Sequence, residues 1–430
     1  MSRISRLIGS NNELISAKIR LIPFVFLLTM ATIPDSFDAR RWIWQHPAWP
    51  DFAWHDQRLA PLLRQVVLLQ GQLLGRTDGV AGPLQAQFSL DAMLQNIIDS
   101  SSIEGEHLNV ASVRSSLARR LGVPQPQARR EARSEGLAQF MFDATGNLDA
   151  PLDLARLLRW HAWLFVPQEG VHPLLAGPIV GGQLRGDALM QVVSGRVDRL
   201  TVHYEAPPRA VLEAQLAVFL DWFNRSANPE MLDPLLRAGI AHFWFVTLHP
   251  FEDGNGRLTR ALTDLALAQG EHQSIRLYAM SAAILADRNG YYHILEQSQR
   301  MPCEAEGTLD LTPWLEWFLL TLQKALQQAL AQIDAVLKKS RFWAQHHDKD
   351  LSAEQVKVLN RLFDGAQGSL NELERGGFVN GISASLYQKV AKVSKATATR
   401  HLADLLEKGC LVKLDGGGRN TRYALPTQVV

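Results

Sequence analysis

Residues 249–260 read HPFEDGNGRLTR, which gathers an imidazole, an aspartate, two guanidinium groups and two glycines into one short stretch. Proline disfavours helical geometry in the residue before it, so a helix arriving from the N-terminal side must end at His249 and leave that imidazole at a helix mouth. Phe251 can anchor the loop in the core, while Gly254 and Gly256 permit backbone angles and close approaches that a side chain would forbid. Asn255 can cap the next helix, whose first turns carry Arg257 and Arg260 at i and i+3 on one face. Free backbone amides, the positive end of a helix dipole and two permanently charged forks make a cradle for an anion, and polyphosphate is its natural ligand. Asp253 supplies a hard oxygen for Mg²⁺ bridging phosphates, and His249 can take a proton from a hydroxyl within reach of about 3 Å.

His249, Pro250, Phe251, Asp253, Gly254, Asn255, Gly256, Arg257 and Arg260 match the pattern HPFx(D/E)GNGRxxR at every defined position, and in this the chain resembles the Fic family. The resemblance implies AMP transfer from ATP, with Mg²⁺, to Tyr, Thr or Ser hydroxyls of target proteins or of the chain itself. It implies His249 as general base, Asp253 as metal ligand, Asn255 and Arg257 on the α/β-phosphates and Arg260 on the γ-phosphate, with Gly254 and Gly256 shaping the phosphate loop. Neither a GxxxxGK[ST] loop nor a kinase signature set occurs elsewhere in the chain.

A second match concerns control. Residues 100–105, SSSIEG, resemble the family's inhibitory motif (S/T)xxxE(G/N), and Ser100 and Glu104 share one helix face ahead of Gly105. A charge-assisted pair between Glu104 and Arg260 would deny that arginine to the γ-phosphate, so the resemblance implies a self-restrained enzyme. In the family the same glutamate can help water attack an AMP-modified target, so AMP removal as the main direction stays open. A nucleotide-sensing DNA-binding regulator is a further alternative. Tyr291 and Tyr292, in RNGYYHILEQ, resemble the family's adenine-side tyrosines, and as plain core aromatics they read equally well.

The elements that must position these groups are mostly helical. Apolar periodicity and stop signals predict helices over 58–74, 84–103 ending at Gly105, 110–121 closed by Gly122, 130–143, 153–164, from 211, 234–248, 258–269, 279–299 and 311–345. Short β-prone runs around Ser194-Gly195 predict a hairpin flap, whose edge near Gln191 to Ser194 could align a target's hydroxyl by strand addition. Four tryptophans in RRWIWQHPAWPDFAW, residues 40–54, read first as aromatics buried against neighbouring helices. In the last eighty residues two helices turning near Val393-Ser394 and two strands around Gly416–Gly418 form a winged helix-turn-helix pattern.

The expected fold is therefore mainly α: a Fic-type all-α core with a short β-hairpin flap and a small C-terminal winged helix-turn-helix domain. The boundaries expected are an N-terminal extension over 1–35, a helical segment carrying the inhibitory motif over 36–125, the catalytic core over 126–345 and the C-terminal domain over 350–430. At 430 residues, with 47% hydrophobic and 20% charged residues, several globular modules fit, and a net charge of +1 gives no global case for nucleic acid or membrane binding. The local case lies in the C-terminal domain from Ser383 to Leu425, where Lys389, Lys392, Lys395, Arg400, Lys408, Lys413, Arg419 and Arg422 stand against Asp404, Glu407 and Asp415. DNA binding or protein docking through that domain, and a homodimer, are left open. Cys303 and Cys410 suggest neither a disulfide framework nor a zinc site, and a cytoplasmic compartment fits. The apolar run 21–30 is too short to span a membrane; translation starting at Met30 is preferred over a signal peptide, because an ATP-consuming enzyme needs the cytosol.

Overall fold

A helix that is mostly apolar all round is buried all round, and in Pro234–Leu248 each residue from Leu235 to Leu248 is buried, Arg237, His242 and Thr247 included. Asp233 starts it by accepting hydrogen bonds from the Leu235 and Leu236 amides at 2.8 and 3.3 Å, with Pro234 in the first turn where no amide partner is needed. It packs against Asn255–Glu271, also buried through most of its length. These two helices are the centre of the first of two compact units in the computed structural model. That unit runs to residue 71 and from 79 to 326; the second takes 72–78 and 327 onward. The structure describes residues 42–78, 80, 82–125, 129–166, 179–196, 199–273, 277–300, 308–365, 381–414 and 421–426. The expectations for residues 1–35, Cys303, the glycines 416–418, Asp415 and Arg419 lie outside these.

The architecture is mainly α. Asp56–Thr77, Gly82–Ile103, Val110–Leu121, Ala132–Gly146, Leu154–Leu164 and Arg209–Arg225 precede the central pair, and Met280–Ala286, Arg288–Gln299 and Thr312–Gln345 follow it. The predicted single helix over 279–299 is two. Asp287 breaks it, leaving helical geometry (φ −130°, ψ 50°) and capping the new helix through the Gly290 amide. The Gly82–Ile103 helix lies on both Val110–Leu121 and Met280–Ala286, and Ala132–Gly146 joins Leu154–Leu164 to the Asn255–Glu271 helix.

The hairpin pairs Gln191–Arg196 antiparallel with Arg199–Glu205. Register shifts between Val192, opposite Tyr204, and Val193, opposite Val202, so His203 is the extra residue of a bulge. Tyr204 anchors the hairpin: its ring is buried edge-on to Trp42, and its hydroxyl donates to the Thr247 carbonyl at 2.6 Å. Trp44 Nε1 donates to the Glu205 carbonyl and Trp49 packs against Trp244, so these three tryptophans serve packing; Trp54 instead donates to Asp56 on the surface. In the second unit Ala353–Gly365, Ala384–Ala391 and Lys395–Glu407 enclose a core of Phe342, Leu359, Tyr387, Leu402 and Leu405, and Val412–Lys413 pairs antiparallel with Tyr423–Ala424. Cys410 is buried in that core.

Candidate active site

The loop joining the two central helices is fixed by its own residues. His249 terminates Pro234–Leu248 in the left-handed region (φ 49°, ψ 58°), its amide donating to Phe245 O. Its Nδ1–H donates to the Val246 carbonyl at 3.1 Å, which makes Nε2 the basic nitrogen. Asn255 does something other than the predicted capping. Its amide clasps the loop from inside, accepting from the Phe251 amide at 2.9 Å and donating to the Phe251 carbonyl at 2.7 Å. The cap is Gly254, at φ 81°, where a Cβ would meet the Phe165 ring at 2.7 Å, so glycine is required twice over.

Two residues that sequence reasoning missed hold the loop in place. Arg185, 2% exposed, donates from Nε to the His249 carbonyl and from its amide to the Pro250 carbonyl, tying both to the segment that leads into the hairpin. His161 stacks on Phe251 at 4.2 Å, accepts the Gly182 amide on Nδ1 and lies 3.3 Å from the Asp253 carbonyl through Nε2. Burial pushes its pKa down to about 4, so the neutral Nε2–H tautomer these contacts require is the stable one. Both residues act across long sequence separations, and neither carries a local signal.

The arginines stand side by side on the first turns of Asn255–Glu271, each 3% exposed. Arg260 donates from Nε to Ser100 Oγ and from Nη2 to the Ser100 carbonyl, both at 2.8 Å, and Nη2 reaches Glu104 Oε1 at 3.0 Å. Arg257 donates from Nη1 to Glu106, lies 3.7 Å from Asp253 Oδ1 through Nη2, and stacks its guanidinium over Phe165. Two donors remain without a hydrogen-bond partner in the buried site, Arg257 Nε and Arg260 Nη1. The Glu104 carboxylate rests on the Cα of Gly256, where a methyl group would overlap Oε1. A side-chain anion thus covers the first turn of a helix, the place a free anion would take. Ser100, Glu104, Gly105, Asp253, Gly254, Asn255, Gly256, Arg257 and Arg260 are brought together here. Ser100, Arg257 and Arg260 also line a small, partly open pocket with Asn96, Leu137 and Asp264.

Residues 151–267, which include this loop, match the model of the Fic/DOC family. The chain carries a Fic domain. Ahead of it, residues 42–123 match a domain of unknown function, DUF4172, which therefore contains Ser100, Glu104 and Glu106. The chain is 24% identical over 294 residues to the protein adenylyltransferase Fic of Nematostella vectensis, covering 64% of this chain and 59% of that one. It is 40% identical over 187 residues to the protein adenylyltransferase fic-1 of Caenorhabditis briggsae, covering 44% and 31%. The chain therefore spans less than two thirds of the length of either relative. A Fic family protein from Desulfovibrio desulfuricans G20 superposes with a TM-score of 0.48 at 19% identity, covering 88% of this chain and 98% of that one.

The two tyrosines at the edge of the Fic domain part company. Tyr291 is a core residue: its hydroxyl donates to His242 Nε2 at 3.0 Å, its ring packs against Trp317, and burial raises its pKa. Tyr292 is half-buried under the Arg288 guanidinium and donates to the Ile103 carbonyl at the end of Gly82–Ile103. On the hairpin, the bulged His203 accepts or donates at Ser194 Oγ through Nε2, 2.5 Å away, and reaches Glu296 through Nδ1 at 2.9 Å, which ties the flap to Arg288–Gln299. In the second unit Lys389, Lys392, Lys395, Thr399 and Arg400 are exposed, while Ala398, Leu402 and Leu405 are buried. Lys408 is held by Asp404 at 2.8 Å. Among the described residues no helix is long and apolar enough to cross a membrane.

Proposed function

We propose that the Fic domain transfers AMP from ATP to a Tyr, Thr or Ser hydroxyl of a target protein, and that Glu104 restrains it. The observation that carries this reading is the pair of buried donors, Arg257 Nε and Arg260 Nη1, beside a carboxylate seated on Gly256. Buried guanidinium donors without acceptors cost free energy, so a site that keeps two of them is arranged for an anion larger than one carboxylate. A triphosphate supplies the missing acceptors.

In the reaction, the target's hydroxyl oxygen attacks the α-phosphorus while the bond from that phosphorus to the bridging oxygen breaks and pyrophosphate leaves. The proton passes to His249 Nε2, which is basic because Nδ1–H is committed to Val246. Arg257 and Arg260 stabilise charge developing on the phosphates in a water-poor setting. No cluster of three or more metal-binding side chains exists among the described residues, so protein groups alone do not make a metal cage. Asp253, the loop carboxylate beside Arg257, would fit Mg²⁺ that takes its other ligands from phosphates and water, while the neighbouring Glu252 accepts the Gly186 amide. When bound, such an ion neutralises phosphate charge and makes the α-phosphorus more electrophilic. The edge of Gln191–Ser194, which pairs with no further strand among the described residues and includes the exposed Val192, suits an extended target segment. Glu104, with its side chain 8% exposed and paired to Arg260, is better placed to block phosphate than to activate water, which favours restraint over AMP removal.

Glu104→Gly protein incubated with a candidate target and ATP labelled on either phosphate tests this. Label from the α-phosphate and none from the γ-phosphate should appear on protein, and His249→Ala in the same background should abolish it. Retention of γ-label, or no α-label in the Glu104→Gly protein, would contradict the assignment. For the second unit, the exposed Lys395, Thr399 and Arg400 on a helix whose buried side is Ala398, Leu402 and Leu405, with the exposed Lys392 in the turn before it, favour duplex DNA, and fluorescence anisotropy with labelled duplexes is the corresponding test.

A further inference from the structure

The Gly82–Ile103 helix ends in a turn that delivers two carboxylates. After Glu104 the backbone enters the left-handed region at Gly105 (φ 76°), and the Glu106 amide donates back to the Ser101 carbonyl at 2.9 Å. Glu104 and Glu106 thereby flank one glycine and face two guanidinium groups one helical turn apart, Glu104 on Arg260 and Glu106 on Arg257. We infer that Glu106 is a second, separately released restraint on the phosphate site, acting on Arg257 and passed to Arg133 when nucleotide enters. This rests on the proposed reading of the site as one for nucleotide.

The two pairs differ in how they can open. Glu104 and Arg260 are both nearly inaccessible, with side chains 8% and 3% exposed, so parting them leaves two desolvated charges. Glu106 is 29% exposed, and its Oε2 accepts from Arg257 Nη1 and also from Arg133 Nη2 at 2.6 Å. Arg133 is itself 31% exposed. When phosphate takes Arg257, Glu106 keeps one cation and gains water, so its release leaves no buried, unpaired charge. Arg133 therefore sets how readily Arg257 is given up. A mutant lacking only Glu104 would still have Arg257 engaged, and its phosphate site would be half open.

Calorimetric titration of Mg·ATP into four proteins tests this: Glu104→Gly alone, and the same background with Glu106→Gln, with Arg133→Gln, or with both. Glu106→Gln keeps the shape and removes the charge, and it should raise ATP affinity by about five- to tenfold. Arg133→Gln leaves Glu106 with Arg257 alone and should lower affinity by a few-fold, on the order of the loss of one exposed ion pair. With Glu106 already neutral, Arg133→Gln should have almost no further effect, a coupling that general damage to the fold would not produce. If the Glu104→Gly protein binds ATP but Glu106→Gln leaves affinity unchanged or lower, or if Arg133→Gln acts equally with and without Glu106, the second restraint is refuted while the nucleotide site stands. If the Glu104→Gly protein binds no ATP, both fall.

Discussion

Arg257 and Arg260 in the first unit and Lys395 and Arg400 in the second are cations on the first turns of a helix, yet their surroundings differ completely. The first pair is 3% exposed, fixed by carboxylates and by Ser100, and left with two unpartnered donors. The second pair is exposed, on a helix whose buried face is Ala398, Leu402 and Leu405. Burial turns positive charge into a shaped, short-range demand for a particular anion. Exposure leaves a long-range attraction that salt screens. On the proposed reading, the contrast separates a site for chemistry from a surface for association.

The largest effect bearing on this contrast is expected at the base. In the Glu104→Gly background, His249→Ala should reduce AMP transfer on the order of a thousandfold while ATP affinity changes little, because the proposed role of the imidazole is on the attacking hydroxyl; steady-state kinetics with separate binding measurements reads both. Next is the loop that gives the buried pair its geometry. Gly254→Ala forces a side chain into the left-handed region and against Phe165, and should cost about 3 kcal/mol of stability, measured by urea unfolding. On the exposed side, Lys395→Ala and Arg400→Ala should each weaken duplex binding a few-fold and reduce the slope of log affinity against log salt by about 1. Neither should alter ATP binding by the Fic domain.

A graded effect, small near neutral pH, concerns acid. His161 and His242 are buried, with pKa values lowered to about 4 and about 3. Below the ordinary histidine pKa of 6.5 the unfolded chain binds protons that the folded chain refuses, so stability is fully present above pH 6.5 and falls as pH drops toward 4. Each histidine contributes a slope of up to about 1.4 kcal/mol per pH unit. His161→Asn should flatten the fall in unfolding free energy between pH 6.5 and 4.

The loop is legible in the sequence because its constraints are local. Pro250 ends a helix at His249, glycines mark where the chain must turn tightly, and two arginines three apart share a face. Helix ends marked by Asp233-Pro234, Gly105 and Gly122 are legible for the same reason. What stays hidden depends on residues meeting across long distances in the chain. Arg185 reaches the His249 carbonyl, His161 reaches Asp253 and Phe251, and Tyr291 is held by His242; each looks ordinary in its own neighbourhood. Asn255 comes after the loop glycine and reads as a cap, but Gly254 adopts the capping angles and the asparagine amide turns inward to Phe251. Glu106 does carry a readable signal: it is a second acid two residues past Glu104, across a glycine, facing a second arginine three residues before Arg260.

In the proposed cycle a triphosphate takes the place of a carboxylate over Gly256. Calorimetric titration of Mg·ATP into the wild-type and Glu104→Gly proteins, each with and without Arg260→Ala, measures that exchange. Removing Glu104 should raise affinity about ten- to a hundredfold, and Arg260→Ala should erase that gain. Equal affinity for ATP with and without Glu104, or a gain that survives loss of Arg260, would contradict it.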